Sequence, residues 1–348
     1  MKITTVSPQS MDLMQMLTGY WVSQSIYAAA KLGIADYITD EGKSYIELAN
    51  TTQTHEESLY RLLRALASVG IFIETSPGYF ATTPMANLLR SDVPDSLRDV
   101  GIMLGDIEHQ LSWGNIVHAV KTGESGFQKL FGMNVFDYYS QNPEAADIFD
   151  RSMTGFSKIE IAGVITDYNF TGINSLVDVG GGMGSLLTSI LQAYPQMTGI
   201  LFDLPHVIER AKLSIANKRG NTDDETSDRY QLVSGSFFEP LPPKQDAYLL
   251  KHIIHDWDDE KAIAILQQCR QAMAAHSKVL VVESVIPSGN EPFPGKFMDV
   301  NMLVMCTGGK ERTAKEFFNI FKEAELELVR IVPTRGMVSV VEGQAIGG

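Results

Sequence analysis

Only two cysteines occur in the 348 residues, Cys269 and Cys306, and their spacing suits neither a disulfide framework nor a zinc site. No apolar run reaches the roughly 20 residues of a membrane-spanning helix. The stretch 191–204 comes nearest and is broken by Gln192, Tyr194, Pro195 and Asp203. The opening MKITTVSPQSMDLMQ is too polar to combine the positive start, apolar middle and small-residue cleavage site of a secretory signal, so the cytoplasm is the expected compartment. Positive charge is also scarce. A formal charge of −14 without any Lys/Arg block opposes binding to nucleic acid or to an anionic membrane. What remains is an ordinary globular composition, 44% hydrophobic and 20% charged, on a chain long enough for two domains.

The two halves follow different patterns. Across 11–38, Met14, Leu17, Trp21, Ile26, Ala29, Leu32 and Ile34 recur at helical spacing, with Gly33 as the interruption. Ser44 and Glu47 have the spacing of a capping box. Leu59, Leu62, Leu63 and Leu66 share one face of a helix over 58–68, and 69–73 and 79–82 read as strands around Ser76-Pro77-Gly78. Helices followed by a hairpin make a winged-helix pattern, a shape that often binds DNA. Residues 1–100, however, carry seven basic against eleven acidic side chains, the wrong balance for a duplex. An interface module fits better, and the apolar density of 11–32 suits burial against a second subunit or within the chain's own core.

Residues 100–170 read as helices over 102–118, 135–140 and 145–168. Their His109, Trp113, Phe127, Phe131, Phe136, Met153 and Phe156 are either helical core or the lining of an apolar pocket. From Ser175 strands at 175–179, 199–202, 230–234, 247–253 and 279–283 alternate with helical segments, which means a parallel sheet covered on both faces. The polar stretch 220–228 reads as a solvated loop. A helix over 315–324 and strands at 326–332 and 337–342 close the chain.

The segment LVDVGGGMGSLL runs from an apolar strand into a helix through Gly180, Gly181, Gly182 and Gly184. Glycines are needed where a ligand approaches backbone too closely for a side chain. A dinucleotide fingerprint would place its third glycine on Ser185, and no Gly-Lys-Ser/Thr closes a phosphate loop. Asp203 ends the next strand, 25 residues after Asp178, where it can accept from a ribose diol. NAD and S-adenosylmethionine both carry that diol, and the missing glycine favours the ligand without a pyrophosphate.

Six blocks in order, the helical amino-terminal module, LVDVGGGMG, FDLPHVI, GSFFEPLP, DAYLLKHIIHDWDDE and GGKERTAKEFFNIFKEAEL, resemble the plant caffeate/flavonoid-type small-molecule O-methyltransferases and their bacterial secondary-metabolite relatives. The resemblance spans nearly the whole chain. It implies an α/β fold, a Rossmann-like class I methyltransferase sheet at 171–348, behind a winged-helix-like dimerisation domain at 1–100 and a helical segment at 101–170 that contributes to the acceptor pocket. It also implies S-adenosylmethionine as cofactor and a homodimer. By position, Gly180 and its neighbours Gly182 and Gly184 would approach the methionine part and Asp203 hold the ribose hydroxyls, with Asp178 and Leu204 as further cofactor contacts. Gly235, Ser236 and Phe237 would meet the adenine, with Lys251 near the cofactor. Ser236 stands where the family usually has an acid, so that contact loses charge assistance.

The same resemblance makes His255 of HDW the general base, taking the proton of a phenolic or enolic hydroxyl as it attacks the sulfonium methyl. Glu283 and Glu311 would flank and orient it, although Glu311 in Lys310-Glu311-Arg312 could equally be surface charge. Asp256 is placed at the acceptor, with a helix cap as its competing role. Lys251 and His252 should face opposite sides of their strand, leaving His252 structural. The acceptor would contact His109, Trp113, Met153, Phe156, Met298 and Met302, a set suited to an apolar, aromatic or polyketide-like molecule. No ligand cluster calls for a metal. The competing expectations are N-methylation or non-methyl chemistry on the same scaffold, a cofactor binder without activity, and a winged-helix regulator.

Overall fold

The computed structural model describes residues 7–219, 226 and 228–346; the expected solvated loop at 220–228 lies almost wholly outside them. Two compact units form, Met1–Gln110 with Asp147–Gly155, and Leu111–Ala146 with Phe156–Gly348. The helical middle is shared between them.

In the first unit the long helix Pro8–Lys31 opens at Ser7, whose side chain accepts from the Ser10 N–H. It ends where Gly33 adopts φ 65° before the short helix Ile34–Tyr37. The Ser44–Glu47 capping box starts Tyr45–Thr52 as its spacing predicts. The helix Glu56–Ser68 buries Leu59, Leu63 and Leu66 against Leu48, Phe72 and Phe80. Strands β1 (Lys43–Ser44), β2 (Ile73–Ser76) and β3 (Tyr79–Ala81) form a three-stranded wing in the order β1-β3-β2. Strand β2 begins later than expected because Gly70 (φ 81°) turns the chain and the Ile71 N–H bonds back to the Leu66 carbonyl. The expected helix over 102–118 is three shorter ones, Arg98–Gly105, Ile107–Trp113 and Ile116–Thr122. The first stops where Asp106 turns extended, and Gly105 packs so close to the Tyr27 ring that a Cβ would lie 2.3 Å from it.

The second unit carries β4 (Ser175–Val179), β5 (Thr198–Asp203), β6 (Tyr230–Ser234), β7 (Ala247–Lys251), β8 (Lys278–Glu283), β9 (Val285–Ile286), β10 (Arg312–Thr313), β11 (Leu326–Pro333) and β12 (Ser339–Ala345). Seven of these make one sheet in the order β11-β12-β8-β7-β4-β5-β6, parallel except around β12. The period of two sorts the core: Val177, Val179, Tyr248, Leu250, Val279 and Val281 face one layer, and Leu176, Leu249, Leu280 and Val282 the other. Strand order reverses between β4 and β7, and ligands of such sheets bind at the carboxyl ends beside that switch. No helix of the described residues is long and apolar enough to cross a membrane.

Candidate active site

The carboxyl ends of β4, β5, β7 and β8 bring most of the expected site residues to one rim. After β4 the chain turns at Gly180 (φ 69°), where a Cβ would meet Ile253 Cδ1 at 2.4 Å. At Gly182 (φ 58°) a Cβ would point into open space, so this is where a bound molecule can lie against bare backbone. The Gly182 N–H donates to Asp203 Oδ2 at 2.8 Å and the Leu204 N–H to Asp203 Oδ1 at 2.7 Å, which ties the end of β5 to the glycine turn. The Gly235 N–H bonds to the Asp203 carbonyl at 2.9 Å. Phe237 lies beside Gly180 and packs edge-on to Trp257 at 6.1 Å. Ser236 turns its hydroxyl to the Phe238 N–H at 3.3 Å.

Asp178 is buried beneath the turn. Its Oδ2 has no hydrogen-bond partner, and burial, with Asp203 adding to it against Lys251, raises its pKa to about 7. A buried carboxylate oxygen without a donor costs free energy unless a ligand supplies one. That vacant acceptor, the open face at Gly182 and the Asp203 carboxylate on the rim together fit a cofactor with a cationic amino-acid end and a ribose diol.

His255 lies on a 3-10 turn, Ile254–Asp256, just beyond β7, and is 6% exposed. Its Nδ1 is 2.7 Å from Glu311 Oε1, its backbone N–H donates to Glu283 Oε1 at 3.1 Å, and its carbonyl accepts from the Lys310 N–H at 2.8 Å. Glu311 is thus the carboxylate hydrogen-bonded to the ring itself. Glu283, expected beside the imidazole, holds backbone instead, accepting from the Ile253 and His255 N–H groups. Burial is the largest influence on the imidazole and lowers its pKa, but Glu311, Asp256 and Glu283 together outweigh it and raise the value to about 10. Arg312, fully buried, donates to the Ile254 and Trp257 carbonyls at 2.9 Å and to Asp259, clamping the turn from behind.

Two expectations about neighbours are corrected. Asp256 caps nothing: Asp258 is the N-cap of the helix Asp259–Ala272, accepting from the Lys261 N–H at 2.9 Å. Asp256 instead lies 3.6 Å from His255 Nε2 and accepts from the Cys306 thiol at 3.3 Å. Burial raises its pKa to about 6. Lys251 and His252 do not part to opposite sides, because β7 ends at Lys251 and His252 takes φ 52°. Both side chains reach Glu160, at 3.0 Å and 2.9 Å. Glu160 went unnoticed in the sequence, and Cys306 and Arg312 were read there without a place at the site. An acid inside the apolar run IEIAGVI was the one available signal for Glu160.

A cavity of about 240 Å³ opens at Asp256, the neighbour of His255, lined by Gln128, Asn134, Val135, Phe136, Asp256, Trp257, Lys261, Cys306 and Thr307. Phe136 stacks on Trp257 at 6.0 Å. Of the expected acceptor contacts, only Asp256 lines it. Trp113 donates to Asn301 at 2.9 Å on the helix Gly295–Met305, which also carries the half-buried Met298 and the buried Met302. Phe156 is half-buried in this second unit. His109 and Met153 belong to the first, where His109 is buried and burial lowers its pKa to about 4.

Residues 113–327 match the family model of the O-methyltransferase domain and 14–92 that of the O-methyltransferase dimerisation domain. The chain is similar to phenazine O-methyltransferase PhzM of Lysobacter antibioticus, 44% identical over 97% of each chain. Its fold is similar to the LaPhzM crystal structure, with TM-score 0.92 over 98% of this chain and 100% of the other, at 44% identity. It is similar as well to the O-methyltransferase NcsB1 of neocarzinostatin biosynthesis, solved with S-adenosylmethionine and 2-hydroxy-5-methyl naphthoic acid, at TM-score 0.78 and 31% identity over 93% and 96%. The chain belongs to the S-adenosylmethionine-dependent O-methyltransferases with an amino-terminal dimerisation domain, enzymes that methylate a hydroxyl of apolar small molecules.

Proposed function

We propose that the acceptor is a hydroxylated planar polycyclic aromatic of the hydroxyphenazine type, with His255 as its general base. The observation that carries this reading is the buried His255–Glu311 pair with an aromatic-walled cavity at the neighbouring Asp256. Glu311 at Nδ1 fixes the tautomer and leaves the Nε2 lone pair for the acceptor's hydroxyl proton. A conjugate-acid pKa of about 10 matches that of a phenol, about 10, so the proton moves between near-equal partners. Phe136 and Trp257 offer flat apolar walls, and the polar edge of Gln128, Asn134 and Lys261 suits a ring nitrogen or carboxylate on the acceptor.

Bound S-adenosylmethionine supplies an electrophilic methyl group on a sulfonium. In this reading Asp178, Gly180, Gly182 and Gly184 hold its methionine part, Asp203 and Leu204 its ribose, and Gly235, Ser236 and Phe237 its adenine, with Lys251 close by. Asp256, Trp113, Phe156, Met298 and Met302, all of the second unit, remain proposed acceptor contacts. Asp203→Ala should weaken binding of S-adenosylhomocysteine roughly ten- to hundredfold, because hydrogen bonds to a charged group contribute about 1.5–3 kcal/mol and about 1.4 kcal/mol is tenfold. Calorimetric titration checks this, and an unchanged affinity would contradict the ribose assignment.

The proposed assembly is a homodimer through the helix Pro8–Lys31. That helix exposes Met11, Leu13, Met14, Leu17 and Tyr20, with Met16 77% and Trp21 69% accessible, an apolar face unusual on a free surface. Sedimentation should give two chains per particle, and Leu17→Asp with Trp21→Asp should give one. A wild-type monomer would contradict the assignment.

A further inference from the structure

Beside the His255–Glu311 pair lies a second histidine–carboxylate pair that the reaction, as described, does not use. Glu160, on the helix Pro143–Asp167, is 2% exposed. Its Oε2 lies 3.0 Å from Lys251 Nζ and 2.9 Å from His252 Nε2, and its Oε1 is 3.0 Å from the same ring nitrogen. Lys251 Nζ also donates to Ser157 Oγ, one turn earlier on that helix, at 3.0 Å. His252 reaches Glu160 only through its left-handed backbone, φ 52°, a conformation that a non-glycine residue keeps only where its surroundings enforce it. The result is a stack: the His252 and His255 rings lie 4.8 Å apart at 28°. Each imidazole is held at one nitrogen by a buried glutamate, His252 by Glu160 and His255 by Glu311.

We propose that Glu160 is a positioning residue for methyl transfer, fixing the plane of the His255 imidazole through the stacked His252 ring and cancelling the positive charge of Lys251, which meets the same carboxylate as that ring. The inference rests on the reading of His255 as base. The face of the His255 ring is set by His252, its Nδ1 by Glu311 and its Nε2 side by Asp256, while Glu283 holds its backbone. With Glu311 alone the imidazole is fixed at one atom and can still rotate about that bond. The stacked His252 ring removes that freedom, but only while Glu160 holds it. Lys251 ends β7, three residues before the turn Ile254–Asp256, and shares Glu160 with His252, whose ring stacks on His255. Without Glu160 its ammonium would stand unpaired near the place where an imidazolium must form, and would disfavour it.

The test uses full-length Glu160→Gln, Glu160→Asp, His252→Asn and His255→Ala, with kcat and KM for a hydroxyphenazine followed from neutral to alkaline pH. Glu160→Gln and His252→Asn should each lower kcat about tenfold and leave the acceptor KM within about twofold, the pattern of a group that acts in the transition state. Glu160→Gln should also move the acid limb of kcat/KM down by about half a pH unit. Glu160→Asp should restore most of kcat. Wild-type kcat and an unmoved limb in Glu160→Gln and His252→Asn would overturn the proposal, as would a loss of kcat with an unmoved limb and no rescue by aspartate. If Glu160→Gln does not fold, His252→Asn, which leaves Glu160 paired with Lys251, decides alone. Wild-type turnover by His255→Ala would overturn the base reading itself. An inactive His255→Ala beside unaffected Glu160 and His252 variants would overturn this inference only.

Discussion

Replacing His255 by alanine lowers kcat by roughly 100- to 10,000-fold, the range that a positioned general base contributes, and leaves S-adenosylhomocysteine affinity near the wild-type value. The two readouts separate because the cofactor rim and the base stand on different strand ends. The glycine turn and Asp203 follow β4 and β5, whereas His255 follows β7 and is held by Glu311 and Glu283. Initial rates with a hydroxyphenazine, paired with calorimetry, check it. A variant within twofold of wild type would leave alignment of the reacting atoms as the whole source of acceleration and would remove His255 from the chemistry.

The second large effect concerns pH. As a base, His255 works only when neutral, and its pKa is raised to about 10. The neutral fraction therefore grows with pH throughout the neutral and alkaline range, so kcat/KM should climb there, with the free enzyme's ionisation as its acid limb. In Glu311→Gln the carboxylate at 2.7 Å is gone, the imidazolium loses its strongest opposite charge, and burial, which disfavours it, is less opposed. The limb should move to lower pH by roughly one to three units, the range an adjacent charge commands. The plateau should drop as well, because the neutral amide no longer stabilises the imidazolium that forms or fixes its tautomer. Ionisation of the acceptor's own hydroxyl is common to both enzymes, so the difference between the two profiles reports the histidine. An unmoved limb with an unchanged plateau would mean that Glu311 does not act on the base.

Much of the architecture was legible because it is written in local periodicities. Short strand-like runs between helical segments set out β4 and β6 to the residue, and the glycines at 180, 182 and 184 marked the turn, where the backbone is left-handed. The block HDW pointed to the rim for the same reason, an apolar strand running into polar residues. Which carboxylate meets the imidazole was not legible. Glu283 closes a buried strand and looks the stronger partner, while Glu311 sits in a charged triplet that reads as surface. The loop before β10 folds inward and reverses their roles, with the Glu311 N–H held by Asp299 at 2.9 Å. Glu160 and His252 are 92 residues apart, and no spacing rule links them. Strand alternation even predicted that Lys251 and His252 would diverge. A single positive φ undoes that prediction, and nothing in the residue type of His252 announces it.

The measurement that bears most directly on the whole account is the position of the transferred methyl. Wild-type protein is incubated with S-adenosylmethionine carrying a carbon-labelled methyl and with a hydroxyphenazine, which offers the enzyme a hydroxyl oxygen and ring nitrogens in one molecule. Carbon NMR of the product should then show one labelled methoxy group, formed at least about a hundredfold more slowly by His255→Ala. A labelled N-methyl product, or a methoxy product formed equally fast without the histidine, would contradict it.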